Sequence, residues 1–279
     1  MTDRLLNYVT GCVLIALFIL VADPTQRIWI LVALGLSLIA VTVTLLNNSL
    51  SIDGAAAALI VGTVALGLGG VTGAVLLLFF FFSSYGLSKW LQYKYGKAAV
   101  PWNNERRKGG QVWANAFWFV LFLILYTVLN EPIFQVTAAA AIAAASSDTW
   151  ASVTGERFSD HARLVTTFRE VESGTDGAVT WKGTLSGLIA AILMALLFLV
   201  SQWTPDFRVA GIILISAFSG CVVDSYLGAI FQVHKWIHRL MLLARKLPFL
   251  RLFGRVIPDN NGVNFLATGI AALIAFLLY

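Results

Sequence analysis

The stretch that decides the fold is Ala143–Thr184, AAASSDTWASVTGERFSDHARLVTTFREVESGTDGAVTWKGT. It begins in an alanine-rich apolar run that carries one acid, Asp148. It then passes into a loop rich in charged residues, Thr, Ser and Gly. A charged group at membrane depth costs about 2.5 kcal/mol or more and usually marks a functional position. The stretch therefore predicts a membrane-buried helix with a functional acid near its end.

The composition of the whole chain is that of an integral membrane protein. Of its 279 residues 59% are hydrophobic and 12% are charged, whereas about 25% of the residues of a soluble domain are charged. Apolar runs of about 20 residues follow one another and leave no stretch long enough for a separate soluble core. We expect residues 1–279 to form a single transmembrane domain, with no nucleic-acid partner.

Hydropathy predicts about nine spans, so the expected fold class is all-α, a polytopic transmembrane helical bundle. The spans lie near residues 5–21, 28–46, 53–69, 71–88, 111–130, 134–153, 183–202, 208–230 and 263–279. The third span is rich in Ala and Gly. Because small residues let helices approach closely in lipid, we expect this span to pack centrally.

Basic residues divide the loops into two classes. All of the 19 Lys and Arg residues except Arg4, Arg27 and Arg208 lie in segments near 89–110, 154–182 and 231–262. The alternate loops are short and nearly free of basic residues. The positive-inside rule therefore predicts that the three long loops and the N-terminus are cytoplasmic. The third loop begins with a basic and aromatic segment, residues 231–253, that predicts an interfacial amphipathic helix.

This orientation places three acids near the cytoplasmic membrane face: Asp53, Asp148 and Asp224. Carboxylates are the hard oxygen ligands that Mg²⁺ prefers, and Mg²⁺ usually takes one or two of them with waters and substrate phosphates. We therefore predict a Mg²⁺ site at these acids. A proton- or sodium-coupled transporter also places acids in the membrane, and a pair hydrogen-bonded at helix ends is a third interpretation.

A short internal similarity links two of these acids. SSDTWAS around Asp148 and VVDSYLG around Asp224 share an acid, a following hydroxyl residue and an aromatic residue, late in spans that run inward. The similarity predicts duplicated helices that face one another with their acids at a shared site. Two matches this short also arise by chance.

Candidate phosphate-binding groups occur in and around the central loop. The turn Ser173–Gly177 precedes Lys182 at the start of a span, and the backbone N–H groups of such a turn, with a helix N-terminus behind it, hold phosphate in many proteins. The loop mixes cations with acids, which suits an anion held through a metal and directed Arg contacts. The alternatives are an ordinary loop, surface ion pairs, helix capping by Asn residues and attraction of lipid headgroups. The predicted phosphate-binding residues are Arg107, Asn115, Arg163, Arg169, Gly174, Thr175, Gly177, Asn261 and Asn264, and the predicted catalytic residues are Asp148, Asp224 and Lys182.

Several motifs taken together resemble one integral-membrane family. DTWAS, RLVTT, SGTDGAVTWKGT, DSYLGAIFQ and the Asn-rich element near the C-terminus are similar, in order and spacing, to the family that contains phytyl-phosphate kinase of plastids and cyanobacteria. Vertebrate transmembrane protein nineteen looks like another member. The resemblance runs from about Ser51 to the C-terminus and includes SIDGAAAALIVG and RRKGGQVWAN.

The resemblance implies transfer of a phosphoryl group from a nucleoside triphosphate, CTP or ATP, to a prenyl monophosphate, which gives the diphosphate. It implies Mg²⁺ as cofactor and a membrane isoprenoid as substrate. The simplest expected location is a bacterial-type inner membrane, with the site at its cytoplasmic face. A carrier or flippase for an anionic lipid phosphate is the alternative from another class, and a non-catalytic membrane scaffold is a third. The prenyl chain length and the oligomeric state stay open.

Overall fold

Nine α-helices dominate the computed structural model, which describes residues 2–95, 106–158, 161–202, 204–233 and 259–279. Each helix coincides with one of the nine predicted spans, so the predicted helical bundle is confirmed. After the eighth helix the chain makes a π-helical turn, Ala229–Val233. The helices are α1 (Thr2–Leu20), α2 (Pro24–Leu46), α3 (Ile52–Gly67), α4 (Gly70–Tyr95), α5 (Gly109–Leu129), α6 (Pro132–Phe158), α7 (Trp181–Ser201), α8 (Phe207–Gly228) and α9 (Asn260–Leu278).

Six of the described helices are long and apolar enough to cross a membrane: α2, α4, α5, α7, α8 and α9. The apolar parts of α1 and α3 are shorter. α6 has 27 residues, but its many Ala, Ser and Thr residues leave it below the hydropathy of the other six. Length and composition therefore support a membrane bundle in which not every helix faces lipid.

Polar residues set where the helices begin. Each capping side chain accepts a hydrogen bond from a backbone N–H in the first turn, which satisfies a group that has no partner within the helix. The capping residues are Asp23, Ser51, Thr180, Asp206 and Asp259, which precede α2, α3, α7, α8 and α9. α5 ends at Asn130, whose left-handed backbone (φ 53°) turns the chain within two residues into α6.

α6 is the centre of the bundle. Every residue from Val136 to Ser147 is buried, and the helix packs against α4, α5, α7, α8 and α9. Small side chains allow this approach: a Cβ added at Gly183 of α7 would lie 2.7 Å from the Ala151 carbonyl oxygen, and one at Gly220 of α8 would lie 2.8 Å from the Ala144 Cβ. α3 is also internal, with half of its 16 residues buried, as its small residues predicted.

The central loop contains a small antiparallel sheet that the sequence did not predict. Its strands are β1 (Ala162–Leu164), β2 (Glu170–Val171) and β3 (Ala178–Val179), in the order β2-β1-β3. Ala162 and Leu164 are buried, and Arg163 between them is exposed. Leu164 belongs to a small apolar cluster with Ala229, so the sheet packs on the end of α8.

Parts of all three predicted loops lie outside the described residues, including residues 159–160 of the central loop. The segment 89–110 is described up to Tyr95 and again from Arg106. The predicted interfacial helix over 231–253 falls outside the described residues from position 234 onward.

Candidate functional site

A cavity of about 540 Å³ lies where the central loop meets the ends of five helices, α5 to α9. It lies at the C-terminal end of α6, where the sequence predicts a functional acid. Eight of the predicted site residues lie on its wall: Arg107, Asn115, Asp148, Gly174, Thr175, Gly177, Asp224 and Asn264.

The two membrane acids meet in this cavity. Asp148, late in α6, and Asp224, late in α8, both line it, and their carboxyl groups are close enough to interact with one another. Neighbouring small residues hold the helices at this distance, because Gly220 lies one turn before Asp224 and against Ala144. The structure thus brings together the acids of the internal similarity, while their role as metal ligands stays a prediction.

The acid pair suits a divalent cation. Two ionised carboxylates in contact repel one another, and either a shared proton or a bound cation relieves this repulsion. No group of three or more His, Cys, Asp or Glu side chains with metal-site geometry occurs within the described residues. A site with two carboxylates fits Mg²⁺, which keeps several waters and binds substrate phosphates through its remaining positions.

Three helix N-termini also point at the cavity. The wall residues in the first two turns of these helices are Gln111 and Asn115 of α5, Gly183 and Thr184 of α7, and Asn260 and Asn264 of α9. Successive helices run in opposite directions through the bundle. α6 and α8 therefore end on the side where α5, α7 and α9 begin. Helix N-termini carry partial positive charge and free N–H groups, which favour an anion such as phosphate.

Asn115 and Asn264 lie beside the acid pair. The Asn264 Nδ2 is 3.4 Å from the Asn115 Oδ1, and both side chains line a smaller pocket that also includes Asp148 and Asp224. Thr268 fixes this part of α9, because its hydroxyl donates to the Asn264 carbonyl oxygen at 2.8 Å. The two amides are therefore positioned to contact a ligand of the acids.

Backbone pairing holds Arg107 on the wall. Its N–H donates to the Ser49 carbonyl oxygen at 3.1 Å, and its own carbonyl oxygen accepts from the Ser51 N–H at 3.1 Å. Asp53 strengthens the connection by accepting from the Gly109 N–H at 3.0 Å. Burial lowers the pKa of Arg107 from its usual value, but an arginine pKa is so high that the group stays cationic at neutral pH.

The glycine turn reaches the cavity through backbone conformations that favour glycine. Gly174 and Gly177 have φ of 84° and 74°, and a Cβ at Gly177 would collide with the backbone of Ala229. The hydroxyls of the turn are engaged locally: Ser173 donates to the Glu156 carbonyl oxygen at 2.9 Å and Thr175 to that of Glu172 at 2.7 Å. The turn therefore offers mainly its backbone to a ligand.

Five predicted site residues do not lie on the cavity wall. Arg163 is exposed on β1 and forms an ion pair of 3.8 Å with Glu170. The Lys182 ammonium lies over the Phe158 ring at 5.3 Å. The other residues placed away from the wall are Asp53, which joins α3 to α5, Arg169, which is exposed, and Asn261, which lies in the first turn of α9.

Two acids on the wall were not among the predicted site residues. Glu156 lies two turns after Asp148 on α6, and Ser152 between them also lines the cavity. The i, i+4, i+8 spacing of these three residues places them on one helix face, so helical periodicity was the available signal. The second is Asp176 in the glycine turn, and burial raises its pKa.

The described wall carries more acidic than basic side chains and also includes apolar residues. Four carboxyl groups, those of Asp148, Glu156, Asp176 and Asp224, accompany a single described arginine, Arg107. Phe80 of α4 with Phe218 and Val222 of α8 form an apolar part of the wall. Val222 is 38% exposed, so this apolar part of the wall is accessible from outside the protein.

Comparison with known proteins identifies the family. The model of the family described as Integral membrane protein DUF92 matches residues 34–272. The chain belongs to this family, and the match confirms the family resemblance that the motifs indicated.

Three curated relatives illustrate the range of similarity. An uncharacterized membrane protein of Methanocaldococcus jannaschii is 29% identical over 91% of this chain and 97% of its own length. Protein VTE6, chloroplastic, of Arabidopsis thaliana is 28% identical over 78% of this chain and 67% of its own length. Protein PGR of the same plant is 32% identical over 45% of this chain and 48% of its own length. No solved structure matches the chain significantly.

Proposed function

We propose that this integral membrane protein is a prenyl-phosphate kinase that transfers a phosphoryl group from a nucleoside triphosphate to an isoprenoid monophosphate. The observation that carries the proposal is the pairing of Asp148 and Asp224 in a cavity whose wall also contains an arginine, three helix N-terminal segments and apolar residues. The similarity to VTE6 over most of this chain, together with the family resemblance, supports this class of reaction.

The charge of the site favours a phosphate substrate that binds together with a cation. Four carboxyl groups and one described arginine give the wall an acidic character, so an anionic substrate binds there with a cation that offsets the repulsion. Asp148 and Asp224 are the residues that would hold Mg²⁺. When bound there, Mg²⁺ supplies neutralisation of the charge that develops on the transferred phosphoryl group.

The chain's own groups position the substrates. Arg107 presents a guanidinium to a phosphate, and the N-termini of α5, α7 and α9 direct N–H groups into the same space. The backbone of Gly174–Gly177 closes this space from the loop side. Phe80, Phe218 and Val222 offer an apolar surface to the isoprenoid tail, which the adjacent lipid can supply. Positioning and electrostatics provide most of the catalysis in such reactions.

Phosphoryl transfer by the purified protein tests the proposal. The γ-³²P-labelled donor is CTP or ATP with Mg²⁺, and the acceptors are prenyl alcohols and monophosphates of several chain lengths. We expect metal-dependent label in a prenyl diphosphate, and a loss of at least about 100-fold in Asp148→Asn and in Asp224→Asn. Normal turnover by both variants would contradict the proposed acid pair.

Glu131→Gln is the matched control. Glu131 is exposed in the turn between α5 and α6, at the opposite end of the bundle from the cavity. Its neutralisation changes the net charge by the same amount as either Asp variant, so its turnover should equal that of the wild type.

A carrier for an anionic lipid phosphate is the second candidate. Asp148 of SSDTWAS and Asp224 of VVDSYLG lie together between α6 and α8. Substrate sites of transporters also lie at the interface of repeated helices. Nucleotide-independent movement of a prenyl phosphate between leaflets of proteoliposomes, with no labelled product, would favour the carrier over the kinase.

We also propose that the cavity opens to the cytoplasm of a bacterial-type cell. The basic residues of the three long loops support this orientation, and the described turns at the other end, residues 130–131 and 204–206, contain no Lys or Arg.

A further inference from the structure

Three cations are stacked on aromatic rings beside the cavity, where α4 and α6 end and α7 begins. We define the cation–aromatic cluster as Lys94, Tyr95, Arg157, Phe158, Trp181 and Lys182. The Arg157 Cζ lies 4.3 Å from the Tyr95 ring centroid, and the Lys94 Nζ lies 5.3 Å from the same centroid. The Lys182 Nζ lies 5.3 Å from the Phe158 ring and 5.7 Å from the Trp181 ring. Tyr95 and Phe158 pack edge to face at 5.4 Å.

The cations of the cluster lack anionic partners in the described part of the chain. The ion pairs found there involve His161, Arg163 and Glu170, and none of the three cluster cations. The Arg157 Nε is buried and has no hydrogen-bond partner among the described residues. Ring contacts orient these cations, but they leave the N–H groups available as donors.

The aromatic residues place the cluster in the headgroup region of a bilayer. Trp181 is 71% exposed and Tyr95 is 37% exposed, and each lies at the end of a helix that is long and apolar enough to cross a membrane. Trp and Tyr collect at membrane interfaces, where an apolar ring and a polar group are both accommodated. Exposed aromatic residues in this position contact lipid, and the cations between them face the phosphate layer.

The cluster adjoins the cavity directly. Glu156 lines the cavity and Arg157 follows it in the chain, while Lys182 lies between the wall residues Thr180 and Gly183. The Thr180 hydroxyl caps α7 by accepting from the Gly183 N–H at 3.0 Å, which fixes the start of the helix that carries Lys182. A headgroup held by the cluster would therefore lie at the edge of the cavity.

We propose that the cation–aromatic cluster binds the phosphate of an anionic membrane lipid at the entrance of the cavity. The cluster matches this ligand because it combines Lys and Arg donors, which form no ion pair with the described residues, with ring surfaces for the adjoining acyl or prenyl chain. Lys182 thereby gains a binding role outside the cavity in place of a catalytic role within it. The inference requires no phosphoryl transfer, so it stands whether or not the protein is a kinase.

Native mass spectrometry of the detergent-purified protein tests the site. The probes are phosphatidylglycerol and phosphatidylcholine with the same acyl chains, and we expect the wild type to retain the anionic lipid preferentially. Each cation near a headgroup contributes enough that removing one lowers affinity about fivefold and removing two about thirtyfold. Lys94→Gln should therefore bind phosphatidylglycerol about fivefold more weakly than the wild type. The double variant Arg157→Gln, Lys182→Gln should bind it about thirtyfold more weakly.

Two controls separate the cluster from general charge effects. The double variant Arg27→Gln, Lys89→Gln also removes two cations, both outside the cluster, that stack on aromatic rings. The Arg27 Cζ lies 5.8 Å from the Phe18 ring centroid, and the Lys89 Nζ lies 5.6 Å from the Tyr85 ring centroid. This double variant should bind phosphatidylglycerol like the wild type. The pair Arg157→Lys with Lys182→Arg keeps both charges and should restore most of the affinity, which excludes misfolding as the cause of a loss.

Competition distinguishes the sources of the phosphate. Geranylgeranyl monophosphate that displaces phosphatidylglycerol would show that the prenyl substrate enters through the cluster, and displacement by inorganic phosphate alone would identify a site for free phosphate. Failure of both competitors would identify a site for the membrane phospholipid. Equal affinity of the wild type for the two phospholipids, or unchanged binding by Lys94→Gln and by the Arg157/Lys182 Gln pair, would overturn the proposal.

Discussion

Among the three acids with a predicted metal role, Asp53 differs from the other two in its contacts. Asp148 and Asp224 face one another in the cavity, whereas Asp53 accepts a hydrogen bond from the Gly109 N–H. That bond helps to join the start of α3 to the segment that carries Arg107. At the scale of the residue, the structure therefore supports a positioning role for Asp53.

We predict that Asp53→Ala destabilises the protein without changing its metal requirement. Loss of the acceptor for the Gly109 N–H should cost about 1–2 kcal/mol, measurable as a lower thermal unfolding midpoint in detergent. The Mg²⁺ concentration that gives half-maximal phosphoryl transfer should stay at the wild-type value. A clear rise in that concentration would indicate that Asp53 binds the metal.

Two of the eight predicted residues on the cavity wall, Asp148 and Asp224, have a strong physical signal in the sequence. An acid inside an apolar run is costly unless it has a function, and this signal identified Asp148 and Asp224. The charges of a polar loop carry no such cost. In the sequence, Arg163 and Lys182 therefore looked like phosphate-binding or catalytic residues. In the structure Arg163 is exposed on β1, and the Lys182 ammonium lies over the Phe158 ring.

At the scale of the element, the close contact of α8 with α6 and α9 determines where Asp224 lies. A Cβ at Gly220 would be 2.8 Å from both the Ala144 Cβ and the Ala271 Cβ. These atoms belong to the small-residue surfaces of two neighbouring helices, which cannot move aside by rotating a side chain. Asp224 follows one turn later on the same face of α8.

We predict that Gly220→Ala reduces turnover by about tenfold or more, because separation of α8 from α6 misplaces Asp224 relative to Asp148. Gly211→Ala is the matched control on the same helix, since its added Cβ meets no atom within 4 Å. The control should keep wild-type turnover and gain up to about 1 kcal/mol from the higher helix propensity of Ala. Equal rates for the two variants would show that the acid pair tolerates helix displacement.

The sheet of the central loop is the part of the secondary structure that the sequence did not predict. Periodicity identifies helices of 16 residues or more, but strands of two or three residues provide too few positions to reveal an alternation. Only Ala162, Arg163 and Leu164 alternate in burial. The sheet packs on the π-helical turn that follows α8, which is far away in the sequence, so local sequence does not predict it.

At the scale of the whole molecule, the orientation of the bundle in the membrane is predicted by a different property from the one that predicts its helices. The order of the spans follows from hydropathy, and the described helices agree with it. The side of the membrane on which the cavity opens depends only on the distribution of Lys and Arg.

Cysteine labelling decides this orientation. In a Cys12→Ser, Cys221→Ser background, Glu172→Cys lies in the central loop and Thr204→Cys in the turn between α7 and α8, and both positions are exposed. In intact cells we expect a membrane-impermeant maleimide to modify only Thr204→Cys, and in inverted vesicles only Glu172→Cys. The opposite pattern would place the cavity on the outer face.

The buried alanine-rich core of α6 has a consequence for biogenesis. This helix touches five others, yet it is less apolar than all five of them, so a lipid environment alone retains it weakly. Its partners α7, α8 and α9 are synthesised later. The nascent chain must therefore hold α6 near the translocon or against α5 until they arrive, and truncation after α6 should leave a segment that quality-control proteases remove.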